Sequence, residues 1–404
     1  MTVVADLTED LADGAGRALD RWSLDVLRRL RRHRPITVAG KVAVLARADD
    51  VREALGDHQA FTVAHYAPKM EALTGPFILG LDDTPLYRHD HAALRAAVRP
   101  QDVPALGDVA LAVARRRIAA AGAELDVVSD LCDPVVDELI ASYLGAPGPD
   151  RATQCRWARS LFEEIFLNVG NLPSIRRRAQ DDAAAWRPHL DALIAERAAA
   201  GELQADDVLG RLLRARRAGD EPALHDVAIR HNLIGLISGW IPTVGKALAN
   251  IVEELLERPT ELSAAQEAAR AGDRDAVAAI AFEALRFRPQ AVAVLRTCAH
   301  DRVIAAGTSR ETTIPAGAIV FCGLQAAMFD DEVVEDPDAF IPGRPAEAYL
   351  HFGHGLHTCF GEQINRAQIP AMLTALLEGP TLHRAGRLRW EGPYPSELRV
   401  ALVG

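Results

Sequence analysis

The sequence predicts a mainly α chain with small β-sheets, an α+β fold in a single domain over residues 1–404. Three observations carry this. Residues 102–288 are rich in Ala, Leu, Arg and Glu, and their apolar positions recur with a helical period. Alternating, β-like segments lie near both ends of the chain. A glycine-rich turn, Phe352-Gly353-His354-Gly355-Leu356-His357-Thr358-Cys359-Phe360-Gly361, leads into a last helical run.

The elements follow in order. Residues 15–32 read as an amphipathic helix that stops before Pro35. Residues 36–48 alternate like a hairpin around Gly40-Lys41. The helical region is interrupted at Gly145-Ala146-Pro147-Gly148-Pro149, at Asn171-Leu172-Pro173 and at Gly219-Asp220-Glu221-Pro222. Residues 226–258 form one helix of about 50 Å at ~1.5 Å per residue, enough to cross the molecule. Residues 290–321 turn β-like, with Pro315-Ala316-Gly317 as a turn signal. Residues 323–358 are largely irregular, residues 362–377 are helical, and short strands close the chain.

Composition narrows the function. A net charge of −11, with no basic stripe interleaved with aromatics, argues against nucleic acid. The only lysines are Lys41, Lys69 and Lys246; the other cations are arginine. Cys132, Cys155, Cys298, Cys322 and Cys359 are scattered without a CxxC, which fits a reducing cytoplasm better than a disulfide framework. Asp6, Glu9, Asp10 and Asp13 make the start unlike a signal peptide or anchor. No apolar run is long enough for a bilayer, so the expectation is a soluble, cytoplasmic protein without a membrane partner.

The glycine-rich turn carries the chemistry. Glycines let backbone approach a flat object closely. A cysteine held there can give a thiolate to a metal, and His357 can meet an anionic group beside it. The turn resembles the haem-binding loop of the cytochrome P-450 family, Phe-x-x-Gly-x-(Arg/His)-x-Cys-x-Gly. Phe352, Gly355, His357, Cys359 and Gly361 match, and the order of elements resembles the family over essentially the full length. The resemblance implies haem b (iron protoporphyrin IX) with Cys359 as the metal ligand, and Phe352, Gly353, His357 and Gly361 around it. It also implies that His91 and Arg95, four apart on one helix face, hold a haem propionate, with Arg296 doing the same job. Tyr349 stands where the family often has His, and its hydroxyl is a further donor. Glu283-Ala284-Leu285-Arg286 matches the family's Glu-x-x-Arg, a structural pair, and Arg344 is the candidate third member.

The long helix departs from the family. There (Ala/Gly)-Gly-x-(Asp/Glu)-Thr supplies the acid and alcohol that deliver protons during dioxygen activation. The aligned residues are Ser238-Gly239-Trp240-Ile241-Pro242, followed by Thr243. Ser238 and Gly239 fit, while the acid becomes Ile241 and the alcohol Pro242. Pro242 lacks an N–H and clashes with the carbonyl of Ser238, so a kink is expected over the iron. Thr243, Ser238 or water must replace the relay. Ala327-Met328-Phe329-Asp330 also departs from the Asn-Arg-Asp of many bacterial relatives, with no function read from it.

The resemblance implies a haem-thiolate oxidoreductase, a monooxygenase acting on a mainly hydrophobic small molecule in specialised metabolism. It would take dioxygen, with electrons from a separate ferredoxin and reductase, docked near Cys359 by Arg95, Arg99 and Arg366. The altered helix leaves peroxide-driven oxidation, hydroperoxide isomerisation, coupling or ring formation as the alternative. A non-enzymatic haem sensor is the remote third reading. The substrate pocket is expected around residues 61–81 and 162–172, at Leu236, Gly239, Trp240, Ile241 and Thr243, at Val292 and Val294 in residues 290–294, and near Tyr394.

Overall fold

Helix caps and turn glycines divide this chain, and a computed structural model describes residues 26–199, 205–220 and 222–403 of it. Residues 26–33 are helical, and residues 15–25 of the expected first helix lie outside the described part. The hairpin forms as expected from β1 (Ile36–Ala39) and β2 (Val42–Leu45), with Gly40 at φ +59° in the turn. α1 (Ala48–Gly56), β3 (Phe61–Thr62), α2 (Ala67–Leu73) and α3 (Pro85–Ala97) follow. Next come α4 (Val103–Ala121), β4 (Glu124–Asp126), α5 (Asp133–Leu139), α6 (Arg151–Phe162), α7 (Pro173–Ala199) and α8 (Val208–Ala218). The expected breaks are real boundaries. Asp150 and Asp207 accept the N–H of Thr153 and Gly210 as caps, and Gly219 ends α8 in the left-handed region.

α9 (Asp226–Leu256) is the 31-residue central helix, about 46 Å at ~1.5 Å per residue. Most of it is buried: Ile229, Leu233, Ile237, Leu248 and Ile251 are fully enclosed, and Arg230, Glu253 and Glu254 toward its two ends are held in ion pairs. It packs against α6 and against α11 (Arg274–Phe287), which follows α10 (Pro259–Arg270). The second half holds β5 (Val294–Cys298), β6 (Arg302–Ile304), β7 (Thr312–Ile314), β8 (Ile319–Cys322), the short α12 (Leu324–Met328) and α13 (Glu362–Leu377). β9 (Thr381–Arg384), β10 (Arg389–Glu391), β11 (Tyr394–Glu397) and β12 (Arg399–Val403) complete it. The five-stranded sheet runs β1-β2-β8-β5-β3, with β2 and β8 parallel and the other pairs antiparallel. It joins strands from both ends of the chain, which is why β-like sequence appears at both ends.

α9 continues through Pro242 as one helix, so the proline does not divide it. Pro242 is buried, and it leaves the Ser238 carbonyl without its i+4 donor. The Ser238 hydroxyl is also buried without a partner among the described residues.

A second constraint sits at Glu283 on α11. Its carboxylate accepts from Arg286 at 2.8 and 3.1 Å, from Arg344 Nε at 3.1 Å, from the Ile341 N–H at 2.9 Å and from the Tyr349 hydroxyl at 3.0 Å. Arg344 is therefore the third member expected. Tyr349 is not the propionate donor expected of it: its hydroxyl is taken up by Glu283, because an unpaired buried carboxylate oxygen is costly. Arg286 also donates to Pro337 O at 2.7 Å and Ala339 O at 2.9 Å, and its guanidinium lies 4.5 Å from the ring centres of both Phe287 and Phe329. This explains the departure at Met328-Phe329: Phe329 stacks on the arginine, and Asp330 accepts from Arg47 and from the Ala48 N–H that opens α1.

Burial alone would raise the pKa of Glu283, but Arg286, the Ile341 N–H and Arg344 hold it below its ordinary value. The stability it adds is present above the unfolded-state pKa of about 4.3 and is lost as pH falls through the lower folded-state value. Glu283→Gln should cost about 3–5 kcal/mol in chemical denaturation at neutral pH, since it strands Arg286 and Arg344 in the interior. The penalty should shrink below about pH 4; a loss that does not change with pH would contradict it. Pro242→Ala returns a donor to the Ser238 carbonyl and should stabilise the fold by about 1–3 kcal/mol, read as a higher Tm.

Candidate active site

The turn before α13 is built by glycine and backbone. Gly353 and Gly355 have φ of +75° and +74°, and a Cβ on Gly355 would come within 2.3 Å of the Leu55 carbonyl oxygen of α1. The turn is thus pressed against α1 at a position where only hydrogen fits. The Cys359 N–H donates to Phe352 O at 2.8 Å and closes the loop. Cys359 is partly accessible and faces a cavity of about 570 Å³.

Residues from several parts of the chain line that cavity. Val63, Tyr66 and Leu79 come from the region of α2, and Phe162, Phe166 and Leu167 from the end of α6 and the π-helical turn after it. Gln290–Val294 and Arg296 enter from the start of β5, and Pro393 from the β10–β11 turn. The floor is His351, Phe352, Gly353, His357, Cys359, Phe360, Asn365 and Ile369. α9 contributes Gly239, Thr243, Val244, Lys246 and Ala247. Val292 and Val294 therefore lie where expected. Leu236 and Trp240 do not: both pack against the main core. The Trp240 indole donates to Gln368 at 3.1 Å, and Gln368 donates to Asn365 at 2.7 Å, so this tryptophan ties α9 to α13. Ile241 is 1% exposed in the core and is no pocket residue. Tyr394 turns away to Arg159 O, leaving the turn to Pro393.

This corrects the register of the distal motif. Residues four apart share a helix face, and the face toward the cavity carries Gly239 and Thr243, with Ser238, Ile241 and Pro242 turned into the protein. Gly239 and Thr243 thus stand at the first and last positions of (Ala/Gly)-Gly-x-(Asp/Glu)-Thr. The alcohol is retained as Thr243; Trp240 replaces the second small residue and Pro242 replaces the acid. The sequence contained this signal in the Gly-x-x-x-Thr spacing, but Ser238-Gly239 mimics the two small residues one step earlier. The Thr243 hydroxyl donates to Gly239 O at 2.6 Å.

The expected propionate-binding residues gather beside Cys359. His91 stacks on Tyr87 with ring centres 5.4 Å apart and meets Phe360 edge-on at 5.7 Å. Arg95 lies 4.0 Å over the Phe360 ring and donates to Phe360 O at 3.2 Å. Tyr87 donates to Leu356 O at 2.9 Å and touches the His357 ring. Arg296 donates to Leu295 O at 2.8 Å and faces the cavity. His91 and Arg95 stay against Phe360, outside the cavity lining. Burial, with Arg296, His58 and His91 adding to it, pushes His357 down to about 3. Both of its ring nitrogens are buried without a hydrogen-bond partner among the described residues. His351, missed in the sequence, is a half-buried ring bonded to Phe282 O at 2.8 Å, and loss of solvent pushes it down to about 4.

The donor set fits a haem. A buried, unpaired imidazole beside Arg296 suits a carboxylate, which would supply the missing partner. Burial also pushes the Cys359 thiol up to about 11, so a thiolate there needs a cation such as iron beside it. Among the described residues no group of three or more His, Cys, Asp or Glu could hold a metal, so the remaining ligands must come with it. The absence of a Cβ at Gly239 leaves open space on the opposite wall.

Two cations fasten the roof. Lys69 on α2 donates to Glu164 O at 3.0 Å and Asn168 O at 2.6 Å, and Arg187 on α7 donates to Leu73 O at 2.8 Å. A second cavity of about 730 Å³ meets the first at Pro289 and Val292. Its Glu253 and Glu254 pair with Arg384, Arg258 and Arg288, and among the described residues that line it there is no cysteine or histidine. Among the described residues no helix is long and apolar enough to cross a membrane.

Comparisons with known proteins agree with this geometry. The cytochrome P450 family model matches residues 160–383. The chain is 31% identical over 374 residues to the cyclomarin C epoxidase CymV of Salinispora arenicola, covering 90% of this chain and 89% of that one. It is 30% identical over 342 residues to the erythromycin C-12 hydroxylase of Saccharopolyspora erythraea, covering 84% and 81%. The crystal structure of CalO2 superposes with a TM-score of 0.81 over 94% of this chain and 96% of that one, at 22% identity, a likeness of fold. With the cysteine turn, the buried Glu-x-x-Arg cluster and the long helix in place, the chain belongs to the cytochrome P450 family, a haem-thiolate oxidoreductase fold.

Proposed function

We propose that this enzyme is a monooxygenase that oxidises a mainly hydrophobic small molecule in specialised metabolism, using haem b ligated by Cys359. The observation that carries it is the cavity that runs from Cys359 to the Gly239/Thr243 face of α9. The epoxidase and hydroxylase activities named for two relatives support oxygen insertion. His357 and Arg296 would hold haem carboxylates from the cavity side, with His91 and Arg95 behind Phe360. The haem would supply the dioxygen-cleaving chemistry, with Cys359 donating electron density to its iron. The protein does the rest. Apolar walls exclude water and bind substrate. Thr243 holds a hydroxyl proton at the cavity, resting on Gly239 O.

Electrons would come from a separate ferredoxin and reductase in the cytoplasm. Arg99 and Arg366, both half-exposed, suit an acidic partner surface; Arg95 is occupied by Phe360. The five free cysteines support that compartment. A peroxide-driven reaction is the second reading, favoured by one observation: Pro242 occupies the acid position, so Thr243 has no carboxylate to recharge it. Peroxide brings its own protons.

The reduced carbon-monoxide adduct should absorb at the position diagnostic of thiolate ligation, and Cys359→Ala should lose that band; an unchanged spectrum would overturn the ligand assignment. Product yield per electron, with ferredoxin and reductase against hydrogen peroxide, separates the two readings. On the monooxygenase reading Thr243→Val should lower that yield about tenfold, and Pro242→Asp should raise it. Equal yields from all three proteins would place proton delivery on water or substrate.

A further inference from the structure

The second cavity presents two buried acceptors with nothing to accept. Asn250 on α9 and Gln325 on α12 line it, and each is 2% exposed. The Asn250 amide nitrogen donates to Pro289 O at 3.1 Å, and that of Gln325 donates to Phe287 O at 2.8 Å. These bonds fix which end of each amide is nitrogen, since a carbonyl can only accept. Both amide oxygens are then buried without a hydrogen-bond partner among the described residues. A buried acceptor without a donor is costly, and two on one cavity wall call for a ligand that donates to both.

Water suits the site. The cavity holds about 730 Å³, and a water molecule takes ~30 Å³. Glu253, Glu254 and Glu257 on its wall are each paired with an arginine, so they call for no counter-ion. Glu257 and Arg288, both partly exposed and 2.9 Å apart, set its mouth at the surface. Its inner end adjoins the reaction chamber, because Pro289 and Val292 line both cavities.

One stripe of α9 runs past both. Thr243, Ala247, Asn250 and Glu254 are four, three and four residues apart and share a face. Thr243 and Ala247 line the chamber, and Asn250 and Glu254 line the second cavity. Asn250 stands about 10 Å beyond Thr243 at ~1.5 Å per residue, a gap that about three waters span at hydrogen-bond spacing. The stripe carries only the methyl of Ala247 between them. The Thr243 hydroxyl donates to Gly239 O, so its oxygen is placed to accept from the last water.

We infer that the second cavity is a water inlet to the reaction chamber, in which Asn250 and Gln325 anchor a row of waters that ends on Thr243. Both amides are positioning residues. When Thr243 gives up its hydroxyl proton, it takes one from the nearest water. That deficit passes outward along the row to bulk solvent, and no group on the protein is left changed. The inlet thus stands in for the carboxylate that Pro242 displaces. Its use in proton supply rests on the proposed monooxygenase reading; the water site itself does not.

The test uses the haem-loaded full-length protein without substrate. Its crystal structure should show ordered waters within hydrogen-bond distance of Asn250 Oδ1 and Gln325 Oε1, continuing to Thr243 Oγ1. Relaxation of solvent protons by the ferric haem reads how fast chamber water exchanges with bulk. Asn250→Leu, similar in volume, should slow that exchange about tenfold, the effect of losing one hydrogen bond to the row. Asn250→Ser loses the same bond to Pro289 but keeps an oxygen for water, and should stay within about twofold of wild type. If Asn250→Leu does not fold, Gln325→Met is read in the same way. A dry gap between Gln325 and Thr243, exchange unchanged in the apolar variant, or equal slowing in Asn250→Leu and Asn250→Ser overturns the inference. A reduced carbon-monoxide adduct without the thiolate band would instead sink the haem-thiolate reading, and the ordered waters would still decide the inlet.

Discussion

The structure depends on a carboxylate that has been taken out of water. Glu283 is fully buried, and besides the two donors of Arg286 on its own helix it takes three more, from Ile341, Arg344 and Tyr349, all in the irregular segment before the cysteine turn. Irregular backbone has no ladder of its own to hold it, so its shape must be imposed by side chains. Arg286 does this twice, binding the carboxylate and then three carbonyls of the same segment, with two aromatic faces against its plane. The position of Cys359 is inherited from this arrangement.

Much of this was legible in the sequence, and the reasons differ by element. The cysteine turn and the Glu283/Arg286 pair are read from spacing, because fixed geometry needs fixed spacing. The hairpin and helix breaks are read from glycine, proline and capping aspartates. Tyr349 was misassigned because a hydroxyl serves a propionate or a buried carboxylate equally well, and only the fold shows which is nearer. Trp240 and Ile241 were misassigned because a helix buried on every side gives no polar face to set its rotation. The contact between Phe329 and Arg286 spans more than forty residues and has no local signature.

Burial also selects the sulfur. Cys132, Cys155, Cys298 and Cys322 are enclosed by apolar neighbours, and burial raises all four thiols. Cys359 shares the raised thiol but opens onto the cavity, with Arg95 and the Gly361 N–H opposing its neutral form. One thiol of five is therefore placed where a metal can reach it. The cavity separates its groups in a similar way: Arg296 and His357 come from the β5 and cysteine-turn walls, and the alcohol of Thr243 from α9.

The two roof cations have a kinetic consequence. Lys69 and Arg187 bind backbone carbonyls, Lys69 also lying 3.9 Å from the buried Glu164 carboxylate, and these contacts join α2 to the segments after α6 and to α7. At about 1 kcal/mol net for each bond these contacts contribute about 3 kcal/mol, and lifting α2 would also expose Met70 and Leu73, both buried, at about 1.5–3 kcal/mol each. The two contributions together make a raised α2 a rare state. A ligand that had to wait for such a state would associate more slowly than diffusion to an open cleft allows, and would leave as reluctantly. Its residence would then be set by contacts that no part of the substrate has to touch.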